Sequence, residues 1–262
     1  DEGRIIARGH DLSVQRVSGD HASLGPEREV DLAQFDVVWL RQDPPFDMFY
    51  ITTTHLLDRL AATTLVVNNP FWVRNYPEKL LVLDFPTLTP PTAIARDLET
   101  IRNFRDRHGD VIVKPLYGNG GAGVFRLKPD DSNLSSLYEL FTGFSREPLI
   151  VQKFLPAVVN GDKRVILVDG EAVGAINRVP AVGETRSNMH VGGRPEKINL
   201  SDRDLEICAE IGPLLREKGQ VFVGIDVIGD RLTEINVTSP TGIQELERLN
   251  KTNVAGEIWD AI

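Results

Sequence analysis

The segment VFVGIDVIGDRLTEINVTSP, residues 221–240, constrains this chain more than any other. It alternates in the manner of two strands around a Gly-Asp turn, and it places Asp226 on the first strand and Glu234 and Asn236 two apart on the second. Residues two apart on a strand project to one face. The phase of the hairpin then decides whether all three share that face. A two-residue turn at Gly229-Asp230 would set Asp226 opposite Thr233 and send Glu234 to the other side. A three-residue loop, Gly229-Asp230-Arg231, sets Ile228 opposite Leu232 and Asp226 opposite Glu234, and groups Val223, Ile225 and Val227 with Thr233, Ile235 and Val237. Because a one-residue slip exchanges every side chain between faces, the apolar pattern selects the longer loop. Hard oxygen donors converging from two strands suit Mg²⁺, which is held by one or two carboxylates together with substrate phosphates. The competing reading is a solvated sheet face, which the presence of Gly224 and Ile228 on the same side weighs against.

KPLYGNGGAGVFRL, residues 114–127, is the second informative stretch. Gly118, Gly120, Gly121 and Gly123 lie between two β-branched patterns, with Lys114 closing the first. Glycine lets a backbone come close to phosphate oxygens and visit positive φ, and a lysine supplies a point charge beside them. The stretch lacks the Gly-Lys-Ser/Thr ending of a Walker A loop, and it leads into a strand rather than the helix of a dinucleotide fingerprint. A flexible hairpin tip is the plain alternative.

The rest of the chain supplies a framework for these two segments. The part before Pro26 reads as short hairpin pieces. Val37–Leu40 is a strand stopped by Pro44-Pro45, a helix is expected from Met48 to Ala62 with Leu56, Leu57 and Leu60 at helical spacing, and Leu65–Val67 is a second strand. Strand, helix, strand predicts a parallel α/β unit. Asn75-Tyr76-Pro77 predicts a capped helix start that carries Leu80, Leu81 and Leu83 inward. Residues 87–92, TLTPPT, read as an extended connector; helices are expected over Asp97–His108 and Leu134–Phe144, and a strand over Leu149–Phe154. Asp169-Gly170 between alternating runs predicts a hairpin. Ser201 with Asp204 predicts a capping box that opens a helix to Lys218, stopped by Gly219. Cys208 falls on the apolar face of that helix, in a structural role. Three domains follow: residues 1–74, 75–155 and 156–262. Both ends of the chain read as cut.

With 38 acidic against 29 basic residues and a net charge of -9, the chain lacks the concentrated basic surface that a nucleic-acid backbone requires. Arginines and lysines in RQDPPFD, GDKR, INRV and GETRSNMHVGGR are candidates for holding phosphates and carboxylates, against an ordinary surface role. Residues 180–195 are polar and glycine-bearing and read as a mobile lid, with His190 a loop residue rather than a base. One cysteine permits no internal disulfide, and no apolar run approaches the ~18–20 residues of a membrane span. A cytoplasmic protein that meets neither nucleic acid nor membrane is expected.

Together RQDPPFD, NYPEKL, KPLYGNGGAGVFR, GDKRVILVDGE, GGRPEKINL and GDRLTEINVTSPTGI resemble prokaryotic glutathione synthetase from about Val37 to the end. The resemblance implies an α/β (α+β) ATP-grasp fold behind an incomplete N-terminal parallel α/β domain whose opening strand-helix unit would precede Asp1. It further implies ligation of γ-glutamylcysteine to glycine through an acylphosphate, with ATP as co-substrate, Mg²⁺ (or Mn²⁺) as the metal, and an assembly of like chains. Lys79 and Lys114 would contact phosphates under the Gly118–Gly123 loop. Gln152, Lys153, Phe154 and Leu155 would line the adenine, and Asp162 would lie near the ribose. Asp226, Glu234 and Asn236 would hold the metal, Arg164 and Arg178 would stabilise the transferring group, and Arg194 is a further candidate. Arg41, Asn236, Ser239 and Thr241 would meet the peptide. Another ligase of this fold with a different acid and amine, and a nucleotide-binding module without turnover, are the competing functions.

Overall fold

A computed structural model describes residues 3–17, 19–184 and 186–262; the side chain of His190 lies outside the description. The chain opens with one long antiparallel hairpin, β1 (Ile6–Val14) and β2 (Ala22–Asp31), which pairs Ile6 with Asp31 and so runs past the expected limit at Pro26. β3 (Val37–Trp39) and β4 (Leu65–Val67) then pair in parallel across helix α1 (Met48–Asp58), as the strand-helix-strand pattern predicts. Asp47 caps α1 by accepting from the amides of Phe49 and Tyr50. The helix ends before Ala62 because Leu60 leaves the ladder, and its carbonyl accepts from both Thr63 and Thr64. Leu57 and Leu60 are buried, whereas Leu56 is exposed.

Two short helices follow. α2 (Pro70–Asn75) is capped by Asn69, and α3 comprises only Glu78–Leu81. Asn75 therefore ends one helix instead of capping the next, its amide bonding back to the carbonyl of Phe71. Pro77 separates the two helices because it has no N–H to continue α2. α3 buries Lys79 and Leu81, while Leu83, expected inward, is exposed.

A four-stranded antiparallel sheet comes next, in the order β5-β8-β6-β7: β5 (Thr92–Ala95), β6 (Val111–Pro115), β7 (Phe125–Leu127) and β8 (Leu149–Lys153). β5 begins at Thr92, the last residue of the run that reads as connector, and its four residues at a sheet edge are too short an alternation to show in the sequence. α4 (Leu98–His108, capped by Asp97) and α5 (Leu134–Phe144) cover one face and bury Ile101, Phe104, Leu134 and Leu137 against Val111, Val113 and Val151.

The larger sheet has five antiparallel strands in the order β11-β10-β9-β12-β13. β9 (Asp162–Val168) turns into β10 (Glu171–Val179) at Asp169 and Gly170, both at positive φ as a two-residue hairpin turn requires. β11 (Arg194–Lys197) precedes α6 (Asp202–Glu217), whose Ser201–Asp204 capping box forms as predicted. β12 (Phe222–Ile228) and β13 (Arg231–Asn236) complete the sheet. α6 buries Ile207, Cys208, Ile211 and Leu215 on the face carrying Val165, Leu167, Val223 and Ile225. On the other face, Leu246 of α7 (Ile243–Asn250) and Val254 and Ile258 of α8 (Val254–Ala261) meet Ile166, Val168 and Ile176. Successive residues of β9 thus feed two cores.

In the β12–β13 hairpin Asp226 does face Glu234, but the expected three-residue loop is not how it gets there. Ile228 faces Arg231 and Val227 faces Leu232, so only Gly229 and Asp230 close the turn. The register shifts between Asp226 and Val227, and Thr233 is the extra residue of a bulge. Its hydroxyl donates to the carbonyl of Asp226 at 3.1 Å. The bulge restores the phase that a two-residue turn would have spoiled. Leu232, rather than Thr233, consequently joins Val227, Ile235 and Val237 in the core.

Candidate active site

The two sheets enclose a cavity of about 490 Å³. Lys114, Pro115 and the glycine loop line it from the smaller sheet; Asp162, Arg164, Arg178, Asp226, Glu234 and Asn236 line it from the larger one. Gln152, Lys153, Phe154 and Leu155, where β8 leaves the smaller sheet, form a third wall, with Ile112, Val124, Val158 and Ile228 adding apolar surface there. Ser239 and Thr241 also line it, and Lys79 of α3 reaches in to Glu234 and to the Gly118 carbonyl of the glycine loop, to which it donates at 2.5 Å.

Charge is concentrated between β9, β10, β12 and β13. Arg164 faces Asp226 across the ladder and grips it twice, Nε to Oδ1 at 2.5 Å and a terminal nitrogen to Oδ2 at 3.0 Å. Arg178 shares a terminal nitrogen between Asp226 Oδ1 at 2.9 Å and Asp162 Oδ2 at 2.6 Å. Burial works against ionisation of Asp226, yet the guanidinium groups of Arg164 and Arg178 hold its carboxyl well below the usual range. Asp162 has less compensation, and burial pushes it up to about 6 despite Arg178. Lys79 Nζ lies 2.9 Å from Glu234 Oε1. Burial opposes the charge on Lys79, and Glu234 and Glu78 more than offset it. Lys114 is half-buried and has no carboxylate in contact among the described residues, and its desolvation lowers its pKa. Such a lysine gains from an anionic ligand that enters the cavity.

Asp226, Glu234 and Asn236 fit a magnesium ion by their chemistry. Asp226 and Glu234 share a rung, Asn236 faces Gly224 two rungs along on the same side of the sheet, and Asn236 Nδ2 donates to the Gly224 carbonyl at 3.2 Å, which leaves its amide oxygen as the acceptor. No group of three His, Cys, Asp or Glu side chains converges among the described residues. Two carboxylates and an amide suit an ion that completes its shell with phosphate and water.

Two loops meet above these groups. Gly120, Gly121 and Gly123 have positive φ, and a Cβ on Gly121 would stand 2.7 Å from Asn188 Oδ1. Arg186 donates to the Gly121 carbonyl at 3.4 Å, and Ser187 Oγ donates to Asp162 Oδ2 at 2.8 Å. The segment after β10 is thereby fastened both to the glycine loop and to the floor of the site.

Not every expected residue arrives. Gly123 packs against Pro115 and Phe141 behind the loop and does not line the cavity. Arg194 is solvent-exposed on β11 and pairs with Glu196 at 2.6 Å. Arg41 stops short of the cavity: it stacks over Trp39 and Phe222 and donates to the Pro240 carbonyl at 2.9 Å. Arg186, one of the arginines of the GETRSNMHVGGR stretch, does line the cavity, and so do Glu78, Ser187 and Asn188, which no motif marks individually. Glu78 immediately precedes Lys79, so the NYPEKL motif held the signal. Ser187 and Asn188 lie in a loop, where no periodicity points to them.

Comparison with known proteins places this geometry. Residues 1–74 match the family model described as prokaryotic glutathione synthetase, N-terminal domain, and residues 78–251 match prokaryotic glutathione synthetase, ATP-grasp domain. The chain is 58% identical over 261 residues to the glutathione synthetase of Brucella melitensis biotype 1, covering 100% of this chain and 84% of that protein. Among solved structures it is similar to the D-cycloserine synthetase DcsG, with TM-score 0.65 and 17% identity over 80% of this chain and 78% of that one. It is likewise similar to the ATP-grasp ligase PsnB in complex with precursor peptide PsnA2 and AMPPNP, with TM-score 0.61 and 20% identity over 96% and 83% of the two chains. At those identities the structures show the ATP-grasp fold.

Proposed function

The chain belongs to the prokaryotic glutathione synthetase family, and from that premise we infer that it ligates γ-glutamylcysteine to glycine as ATP is cleaved to ADP and phosphate. The observation that carries the reading is the convergence of Lys79, Lys114, Arg164 and Arg178 on one cavity with Asp226, Glu234 and Asn236. Four cations and three oxygen donors are what a triphosphate and its metal require, and the bulged hairpin exists to gather the donors on one side.

The adenine is assigned to the apolar wall of Phe154, Leu155, Ile112 and Val124. The phosphates lie under the glycine loop between Lys79 and Lys114. A carboxylate oxygen of the cysteinyl residue attacks the γ-phosphorus, the bond to the β-phosphate oxygen breaks, and ADP leaves with the electron pair. The glycine amine then attacks the acyl carbon, phosphate departs with the C–O electrons, and the amine proton passes to solvent. Side chains do little covalent work in such a sequence; they position and neutralise. Arg164 and Arg178, fixed by Asp226 and Asp162, present guanidinium charge where the transferring group becomes most anionic. Asp226, Glu234 and Asn236 would hold magnesium, which would supply neutralisation of phosphate charge there. The segment from Arg186 to Asn188 closes on the glycine loop and excludes water from the acylphosphate. Ser239 and Thr241 face the peptide.

A cytoplasmic site of action and an assembly of like chains belong to the same proposal; among the described residues no helix is long and apolar enough to cross a membrane. The reading is tested by ADP release in MgATP with each substrate omitted in turn. Turnover that needs both γ-glutamylcysteine and glycine supports it; turnover with another acid and amine but never with this pair overturns it.

A further inference from the structure

Residues 237–241, VTSPT, leave β13 with no ladder of their own, yet the segment runs from a proposed metal ligand, Asn236, to the proposed peptide contacts Ser239 and Thr241. It is held from outside at nearly every residue. Glu78 Oε1 accepts from the amides of Val237 and Thr238, each at 2.9 Å, and from the Thr238 hydroxyl at 2.7 Å. On the other side of the same residue, Asn68 Nδ2 donates to the Val237 carbonyl at 2.8 Å. Arg41 and Arg164 hold the carbonyls of Pro240 and Thr241. Among the described residues, Glu78 alone secures the first two amides.

We propose that Glu78 is a positioning residue for the peptide half of the site, fixing the backbone after Asn236 so that Ser239 and Thr241 meet the substrate in register with the transferring phosphate. Two successive N–H groups that converge on one carboxylate oxygen form a strong, directional clamp. Glu78 Oε2 takes no hydrogen bond from any described residue, and burial together with Glu234 raises the Glu78 pKa, so the carboxylate is kept at a cost. A neutral staple would hold a merely structural loop more cheaply. Its neighbour Lys79 reaches Glu234 from the same turn of α3. The first turn of that short helix therefore ties the phosphate side of the site to the peptide side.

The proposal rests on the ligase reading for its substrate and is tested in two arms on the full chain. Glu78→Ala is expected to raise the KM for γ-glutamylcysteine about tenfold or more with MgATP affinity within about twofold, and Glu78→Gln, which keeps a carbonyl acceptor, to return most of the loss. Should Glu78→Ala fail to fold, Thr238→Val removes one of the three donors and is expected to shift the same KM by a smaller factor. The second arm needs no turnover: amide hydrogen exchange over residues 237–241 is expected to accelerate about tenfold in Glu78→Ala, with the glycine loop unchanged. Equal losses in peptide and MgATP binding, or unchanged exchange over 237–241, overturn the proposal. A wild-type chain inert toward the peptide and glycine sinks the ligase reading instead, and the exchange arm still decides the clamp.

Discussion

Arg164 and Asp226 are joined at both ends of their forks, Nε to Oδ1 at 2.5 Å and a terminal nitrogen to Oδ2 at 3.0 Å, and both residues are buried. This contact fixes a guanidinium in the wall of the cavity, and Arg164 together with Arg178 more than offsets the burial of Asp226 and keeps it anionic. A preset charge of this kind costs no reorganisation during reaction.

Arg164→Lys keeps the charge but loses the planar fork, which a lysine cannot reproduce. The expected result is a fall in kcat of about 100-fold, since a small misplacement at the reacting centre has that effect. Unfolding in urea is expected to lose about 1–3 kcal/mol, within the range for a broken buried network. Steady-state ADP release and denaturation curves measure the two separately; unchanged kcat contradicts the role assigned to Arg164.

The glycine loop gives a paired comparison. Gly121 and Gly183 have similar positive φ, 80° and 82°, but an added Cβ meets Asn188 Oδ1 at 2.7 Å in the first case and nothing within 4 Å in the second. Gly183→Ala should therefore show backbone strain alone, about 1 kcal/mol. Gly121→Ala should in addition push the Asn188 side chain off the glycine loop, raising the KM for MgATP about threefold. Equal kinetics for the two variants would show that contact between the loops is unimportant.

Gly212 of α6 lies against the β9–β10 turn, where an added Cβ would stand 2.3 Å from the Gly170 carbonyl oxygen. Both sides of that contact are backbone, so neither can yield as a side-chain tip would. Gly212→Ala is expected to destabilise the fold by about 3 kcal/mol, at the upper end of ordinary overpacking. A urea midpoint equal to wild type contradicts this packing.

Cys208 is buried, and burial, with Asp204 adding to it, pushes its thiol up to about 12. A thiol pKa raised above its unfolded value contributes stability that is intact below the unfolded pKa and is lost progressively as pH rises from there through about 12. At pH 8 the folded thiol is therefore un-ionised. Labelling with a thiol-reactive disulfide is expected to be about 100-fold slower in the native chain than in denaturant, because the thiolate is the nucleophile. Equal rates would place Cys208 outside the core.

Much of this was legible from residue order. That Asp226, Glu234 and Asn236 share one side of their hairpin is readable because the other side is apolar, and the turn at Asp169-Gly170 and the Ser201 capping box are readable because their chemistry is local. The bulge at Thr233 was not, since a longer loop and a shorter turn with a bulge give the same phase for Asp226 and Glu234. α3 misled for a related reason: Pro77 reads as a residue of the first helical turn, when it serves to break α2 from α3. Arg41 lies in a motif rich in site residues, but only the fold reveals that its guanidinium is spent on Trp39, Phe222 and Pro240. Glu78 went unnoticed because its partners, Val237 and Thr238, are 159 and 160 positions away.

The account stands or falls on substrate dependence. With MgATP at saturation, ADP release is to be followed in the presence of γ-glutamylcysteine and glycine together, of each alone, and of neither, with glutathione identified as product by mass. The account predicts sustained ADP release and stoichiometric glutathione only when both substrates are present. ADP release indifferent to glycine, or none with the pair while nucleotide still binds, would contradict it.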